Sequence, residues 1–263
     1  MEAARKSSAG AACPICLRQS SLTDEDITPT WARKHLIRSY GPFPGAQAPR
    51  RHKFRICMQC NGQLGRRFEE PVAPILKHAI DGIKLRLSMA DQRAIGSWVV
   101  KTTMLTCLAD STPQEWGHGI AREIVQGMLK TGVPPINSSV RLGIINDSSA
   151  DAGPARYIGN LLPVGRMPEF AFFSLTSMGH LVWEAVIGVA PNVERFARWT
   201  DGRTDRMIRV WPAREIETAW PPPKALHYGQ ILAMRDAFVA ARLDVPGLAD
   251  PRRRTWDGPV SEP

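Results

Sequence analysis

The sequence contains no apolar run near the ~20 residues that a membrane-spanning helix requires. Its first dozen residues also lack the continuous apolar stretch of a secretory signal peptide, and no internal repeat is visible. These absences predict a cytoplasmic protein without a membrane partner. Hydrophobic residues still make up 43% of the 263 positions and charged residues 22%, which is enough apolar material for one large or two modest packed cores.

Acidic residues are absent between Ile27 and Phe68, although nine lysines and arginines lie there. Residues 1–110 carry 17 basic against 9 acidic side chains, whereas residues 111–263 carry 17 against 16. This local excess predicts a polyanionic partner, and a merely solvated basic loop is the alternative. The candidate phosphate contacts are Arg33, Lys34, Arg38, Arg50, Arg51, Lys53 and Arg55. They predict salt-dependent affinity for nucleic acid without choice of sequence.

Cysteine is scarce, but four of the five cysteines form two C-x2-C pairs. The pairs, Cys13/Cys16 and Cys57/Cys60, are separated by 40 residues. In a reducing compartment such pairs more often bind metal than form disulfides. Two turns that each present two thiolates predict a structural zinc site, with an iron–sulfur cluster or free thiols as alternatives. Cys107, on the apolar face of a predicted helix, is expected to be an inert core thiol.

Turn residues and apolar periodicity divide the chain into five predicted parts. These are a disordered N-terminus (1–12), a zinc module (13–82), a helical connector (83–132), a β-rich C-terminal domain (133–245) and a flexible tail (246–263). Three- and four-residue apolar steps predict helices at about 64–80, bent at Pro71 and Pro74, at 88–110 and at 112–132. Branched and aromatic residues predict strands at 51–56, 140–146, 156–164, 170–177, 180–189 and 207–211, before a closing helix at 225–243.

The order of the motifs between Cys13 and about residue 108 resembles a known family. After the first cysteine pair come Glu25-Asp26-Ile27-Thr28-Pro29 and Trp31, then Cys57-x2-Cys60-Asn61, Glu69-Glu70-Pro71 and Pro74-Ile75-Leu76. This outline is similar to the HNH endonucleases of the ββα-metal, or His-Me finger, group, and in particular to a zinc-bearing branch with two cysteine pairs. The resemblance implies a ββα fold around the zinc and metal-dependent hydrolysis of phosphodiester bonds in DNA.

The resemblance also implies roles for individual residues. Asn61 corresponds to the central asparagine that orients the catalytic base, and Glu25 to the acidic position before that base. Asp26 stands where active members have histidine, and an aspartate is the weaker base at neutral pH and more naturally a metal ligand. Glu69 and Glu70 take the position of the last metal ligand. Together these carboxylates suit Mg²⁺ or Mn²⁺, which could activate a water directly.

Each of these catalytic assignments has an alternative. Residues 24–26 could form a turn or the start of a helix. Glu69 and Glu70 could be acidic residues of a first helical turn that face the helix dipole. His35 or His52 could supply the missing base, although an isolated histidine is more often a surface or core residue.

These observations predict an α+β protein with an N-terminal zinc-stapled ββα-metal-like module, in which zinc cross-links the cysteine pairs. A helical connector and a C-terminal antiparallel β region with a closing helix follow. The expected function is that of an HNH-like, zinc-containing DNA-binding protein, with metal-dependent endonuclease activity if Asp26 permits it. One alternative is a catalytically inactive HNH-derived zinc module that binds nucleic acid or a protein partner. The other is a structural zinc ribbon on an unrelated domain, without salt-dependent DNA affinity.

Overall fold

The structure, a computed structural model, describes residues 11–41, 53–109, 115–146, 160–166, 169–188, 205–227 and 229–234. Three residues of the predicted basic segment, Arg50, Arg51 and His52, lie outside this part of the chain. The predicted flexible tail and most of the predicted disordered N-terminus lie outside it as well. The described residues contain both helices and antiparallel strands, which agrees with the predicted α+β class.

Two antiparallel strands and the helices around them form the first module. Its elements are β1 (Leu22–Asp26), α1 (Thr30–Tyr40), β2 (Lys53–Cys57), α2 (Met58–Leu64), a π-helical segment (Gly65–Glu69) and α3 (Ala73–Ile80). Asp26 lies opposite Lys53 in the two-stranded sheet, so the alternative of a turn or helix start at 24–26 is wrong. Cys57 caps α2, because its sulfur accepts the N–H of Cys60. The predicted bend is confirmed at Pro71, between the π-helical segment and α3, whereas Pro74 lies in the first turn of α3.

Two long helices follow, α4 (Met89–Ala109) and α5 (Glu115–Thr131). Ser88 and Asp91 cap α4 reciprocally, since the Ser88 hydroxyl accepts the N–H of Asp91 at 3.2 Å and the Asp91 carboxylate accepts the N–H of Ser88 at 2.9 Å. Helix α5 ends where Gly132 adopts a φ of 79° and donates its N–H to the Met128 carbonyl. The predicted start of α4 and end of α5 are confirmed, and the predicted cap at Thr112 lies outside the described residues.

Five antiparallel strands form the main sheet in the order β5-β6-β7-β4-β8. They are β4 (Ser138–Ile144), β5 (Asn160–Arg166), β6 (Glu169–Met178), β7 (Leu181–Gly188) and β8 (Met207–Trp211), and each overlaps a strand predicted from the sequence. Gly179, with a φ of 58°, makes the tight turn between β6 and β7 possible, because a Cβ there would lie 2.8 Å from the carbonyl oxygen of Ile80. The sheet therefore contacts the end of α3 directly.

A further two-stranded sheet, the third sheet of the described residues, was not predicted. Strand β3 (Leu85–Leu87) pairs with β9 (Thr218–Trp220), and three residues are too few to produce a recognisable alternation. The closing helix, α6, is helical at 229–234 and begins later than the predicted residue 225. The reason is that Leu226 forms an isolated bridge with Ile145 just after β4, and its backbone N–H donates to the carbonyl of Ile144 at 2.7 Å.

Helix α4 runs through the main apolar core. Its Trp98 contacts Trp31 of α1 and Trp183 of β7, with ring centroids 6.3 and 5.3 Å apart. The same core includes side chains of the first module, of α5 and of one face of the main sheet, and a smaller cluster covers the other face. The packing thus continues across the predicted boundaries at 82/83 and 132/133. Among the described helices, none has the length and apolarity needed to span a membrane.

Candidate metal centre and carboxylate cluster

The four paired cysteines come together in one cluster. Cys13 and Cys16 lie on a turn before β1, and Cys57 and Cys60 lie at the junction of β2 and α2. Their four sulfur atoms all lie within 4.8 Å of one another. None of these cysteines forms a disulfide, and only Cys16 is more than slightly exposed. This closed group of sulfurs is geometrically suited to a tetrahedral metal ion such as zinc.

Backbone N–H groups support the sulfur atoms from both sides of the cluster. Leu17 adopts a φ of 62° and donates its N–H to the Cys13 carbonyl at 2.8 Å, which turns the chain back after the first pair. The N–H of Cys57 donates to the sulfur of Cys13, and the N–H of Cys60 donates to the sulfur of Cys57, each at 3.4 Å. Hydrogen bonds of this kind favour the thiolate form, which is the form that binds metal.

The pKa values of Cys13 and Cys60 are shifted in opposite directions within the cluster. Burial raises the pKa of the Cys13 thiol, but the backbone N–H groups of Cys16, Cys57 and Ile15 outweigh it and lower that pKa to about 7. Burial raises the pKa of Cys60, and its neighbouring thiols raise it further. The Cys13 thiol is therefore disposed to ionise, while the Cys60 thiol resists additional negative charge. A divalent cation would remove this conflict because it displaces the protons.

Helix α5 holds the first cysteine turn in place. The guanidinium Nε of Arg122 donates to the Pro14 carbonyl at 2.7 Å, and the side-chain amide of Gln126 donates to the carbonyl of Ile15. Arg122 and Gln126 are four residues apart and therefore lie on one face of the helix. Sequence reasoning missed both residues, since the contacts join positions more than 100 residues apart and no motif marks them.

Two of the predicted carboxylate ligands, Glu25 and Asp26, lie on opposite sides of β1. Glu25 is buried, whereas Asp26 is half-buried on the opposite side. The Asp26 carboxylate accepts the hydroxyl of Thr30 at 3.2 Å and lies 3.9 Å from the guanidinium of Arg33. The residue at the predicted base position is thus engaged by the first turn of α1. Glu70 is exposed at the end of the π-helical segment.

Glu25 meets Glu69 and Lys101 inside the protein, and we call these three residues the carboxylate cluster. The Lys101 Nζ donates to the Glu69 Oε1 at 2.6 Å. Burial raises the pKa of Glu25 to about 7; the charge of Lys101 opposes this rise, and the interactions with Glu69 and the charge of Asp26 add to it. Near neutrality Glu25 therefore readily takes up a proton.

The carboxylate cluster does not form a group of three metal ligands. Within the described part of the chain, no group of three or more His, Cys, Asp or Glu ligand atoms lies together other than the four cysteines. A divalent metal held by Glu25, Asp26, Glu69 and Glu70 stays a prediction from the resemblance. Sequence reasoning missed Lys101, although a signal existed: it is the only charged residue between Ala94 and Leu108.

Asn61 joins α2 to β1. Its side-chain amide donates to the Thr23 hydroxyl at 3.1 Å, and that hydroxyl donates to the Ile56 carbonyl of β2 at 3.2 Å. Thr23 and Glu25 project from the same side of β1, because side chains alternate along a strand. Asn61 therefore fixes the helix against the side of the strand that carries Glu25. Its role in orienting a base stays a prediction.

The predicted phosphate contacts differ in their exposure. Lys34 and Arg38 of α1 are exposed. Arg55 of β2 is also exposed and lies 3.9 Å from the carboxylate of Asp24, whereas Arg33 is half-buried beside Asp26. Lys53 belongs to β2, but its side chain lies outside the described part, as do Arg50 and Arg51. Two further arginines of the π-helical segment, Arg66 and Arg67, are exposed as well.

His35, which was considered as a substitute base, is engaged elsewhere. Its Nε2 lies 3.0 Å from the carboxylate of Asp81, at the end of α3. This pair joins α1 to α3, beside the hydrogen bond from the Tyr40 hydroxyl to the Ile80 carbonyl at 2.8 Å. The contacts of His35 therefore identify it as a link between two helices.

The comparisons with known proteins give no relative for this arrangement. No family model, curated protein or solved structure matches the chain. The geometry and chemistry of its own residues are therefore the basis for a functional proposal.

Proposed function

We propose that residues 13–82 form a zinc-stapled, HNH-like ββα module that binds nucleic acid, and DNA in the first place, through phosphate contacts. The observation that carries the proposal is the exposure of the cations on this module. Lys34 and Arg38 on α1 and Arg55 on β2 are exposed in a stretch of chain without an acidic residue from 27 to 68. Such a surface attracts phosphates and releases counterions on binding.

The cysteine cluster supports this surface mechanically. Its four sulfurs belong to the turn before β1 and to the junction of β2 and α2. A zinc ion there would fix the two strands and the helix relative to each other, and closed four-thiolate zinc sites are typically structural. The basic side chains of α1 and β2 would then be presented on a rigid support.

Endonuclease activity is the second candidate function. The observation that favours it is the hydrogen bond from Asn61 to Thr23, which places the asparagine beside the strand that carries Glu25. In this case a divalent metal bound by oxygen ligands would activate a water for attack on a phosphodiester. The engagement of Asp26 by Thr30 and Arg33 makes binding without cleavage the better supported function.

DNA affinity should be measured first, by fluorescence anisotropy of a short duplex with the full zinc-loaded chain over a range of salt concentrations. We expect the Lys34→Ala/Arg38→Ala variant to lower the salt slope by about 2, roughly 1 for each phosphate contact. The matched control is Arg93→Ala/Arg214→Ala, which removes two exposed cations outside the module. An equal loss in both variants, or no salt-dependent affinity in the wild-type chain, contradicts the proposal and favours a protein partner or a structural role.

Cleavage is tested with the same samples. Supercoiled plasmid is incubated with Mg²⁺ or Mn²⁺, or with EDTA, and the Glu25→Gln variant serves as the control. Nicking that requires the metal and disappears in the variant establishes the second candidate. Binding without nicking under every condition leaves the module as a DNA-binding surface.

A further inference from the structure

The carboxylate cluster already contains a cation, and that cation belongs to the chain. Lys101 is 1% exposed, and its Nζ lies 2.6 Å from the Glu69 Oε1. The side chain of Glu69 in turn interacts with that of the buried Glu25. Two facing carboxylate groups are the kind of ligand pair that Mg²⁺ or Mn²⁺ binds, but here an ammonium group contacts one of them at hydrogen-bond distance.

The fold fixes this ammonium in place. Lys101 lies on α4 between apolar side chains of the core, and its neighbours Val100 and Thr102 are buried too. A lysine is rarely buried unless it is paired, because burial of an unpaired charge is costly. Glu69 belongs to the π-helical segment and Glu25 to β1. The ammonium and the two carboxyl groups therefore come from three separate elements.

We propose that the Lys101 ammonium takes the place of a divalent cation at Glu25 and Glu69 and closes this carboxylate pair to Mg²⁺ and Mn²⁺. A metal ion between the carboxylates would have to displace the ammonium into the apolar core or lie against it. Like-charge repulsion and the loss of the hydrogen bond to Glu69 oppose both arrangements. The residues of the cluster therefore do not fit an oxygen-bound catalytic metal as long as Lys101 is present.

This inference goes beyond the proposed function, since it concerns the buried cluster and makes no use of the exposed basic residues. It explains how a ββα module can hold inward-facing carboxylates without using them for hydrolysis. It also predicts that one substitution makes the Glu25 and Glu69 carboxyl groups able to bind a divalent cation. Lys101→Ala removes the ammonium and leaves space, whereas Lys101→Arg keeps a cation.

The test is Mn²⁺ binding, followed by electron paramagnetic resonance of free Mn²⁺ with the full zinc-loaded chain. We expect no Mn²⁺ bound at the cluster in the wild-type chain or in Lys101→Arg. For Lys101→Ala we expect one additional Mn²⁺ per chain, with an affinity at least about tenfold higher than in the wild-type chain. The double variant Lys101→Ala/Glu69→Gln, which lacks one ligand, should return to the wild-type value.

Three outcomes overturn the inference. One is a Mn²⁺ ion bound by the wild-type chain and lost on Glu69→Gln, since the pair is then open. Another is a folded Lys101→Ala variant that gains no Mn²⁺. The third applies if Lys101→Ala does not fold without metal. The variant should then gain a cooperative melting transition in millimolar Mn²⁺, and a chain that stays unfolded there shows that the metal does not replace the ammonium. DNA affinity, measured separately, distinguishes these results from a failure of the proposed function.

Discussion

The negative charge of the ligands is compensated differently in the cysteine cluster and in the carboxylate cluster. Both are groups of acidic ligands brought together around β1, β2 and the helices that follow. The four sulfurs lie within 4.8 Å of one another, and the backbone N–H groups of Cys57 and Cys60 donate to two of them. Glu25 and Glu69 instead meet the ammonium of Lys101. The sulfur cluster is therefore suited to an external cation, and the carboxylate pair carries its own.

Because of this difference, the two clusters respond to different solution conditions. The state of the sulfur cluster depends on the metal supply, because deprotonated thiols need a divalent cation to compensate their charge. The state of the carboxylate cluster depends on pH, because Glu25 can take up a proton in place of a second cation.

Removal of one sulfur ligand should have the largest effect. Cys57 contributes a sulfur, caps α2 and donates its N–H to the sulfur of Cys13. We expect Cys57→Ala to lose zinc and to lower the free energy of unfolding by on the order of 5 kcal/mol, a part of the roughly 10–16 kcal/mol that structural zinc supplies in small zinc domains. Zinc content by mass spectrometry and urea unfolding measure the two effects.

Cys107→Ala is the matched control for the loss of a sulfur. Cys107 is buried but lies on α4, outside the cluster. We expect it to keep the full zinc content and to lose only the packing of one small side chain and the weak hydrogen bond from its sulfur to the Gly117 carbonyl. If Cys57→Ala retained zinc and the stability of this control, the four sulfurs would not form a metal site.

A smaller effect should follow from the protonation of Glu25. Burial raises the pKa of this carboxyl from 4.5 to about 7 in the folded chain, so the folded state holds a proton that the unfolded state releases between these two values. The resulting stability is fully present below pH 4.5 and is lost as the pH rises through about 7, with a slope of up to about 1.4 kcal/mol per pH unit.

The Glu25→Gln variant isolates this contribution. Glutamine retains a side-chain hydrogen-bond donor but does not titrate. We therefore expect the difference in unfolding free energy between the wild-type chain and the variant to shift in favour of the variant between pH 5 and pH 7.5. Urea unfolding at several pH values measures it. A difference that does not change with pH would mean that Glu25 stays ionised when folded.

The sequence predicted the sulfur cluster well because its determinants are local. Each C-x2-C pair occupies one turn, so spacing alone indicates that two sulfurs converge. The five strands of the main sheet were predictable for a similar reason, since stretches such as 170–177 and 180–189 are rich in β-branched and aromatic residues and meet at a Met-Gly turn. The reciprocal cap of Ser88 and Asp91 is likewise a property of four consecutive residues.

The carboxylate cluster was not predictable to the same degree because its partners are distant in the sequence. Glu25 and Glu69 were selected by resemblance, but Lys101 lies 32 residues beyond Glu69. Its isolation among uncharged residues marks it as unusual, yet does not indicate which side chains it contacts. The three-residue strands β3 and β9 are similar, since only their pairing across the whole C-terminal half makes them strands. Tertiary contact, rather than local pattern, determines both features.

The smallest effect concerns the support of the sulfur cluster by α5, which tests whether the cluster depends on the metal alone. Gln126→Ala removes the hydrogen bond to the Ile15 carbonyl. We expect a loss of about 1 kcal/mol in unfolding free energy, reduced by a few tenths because alanine favours helix. Zinc extraction by a chelator should become faster, since the first cysteine turn loses one anchor while Arg122 still binds Pro14. Glu123→Ala, an exposed position on the same helix, should change stability by less than about 0.5 kcal/mol and leave the extraction rate unchanged. Equal extraction rates in both variants would show that the hydrogen bond from Gln126 does not help to hold the cysteine turn around the metal.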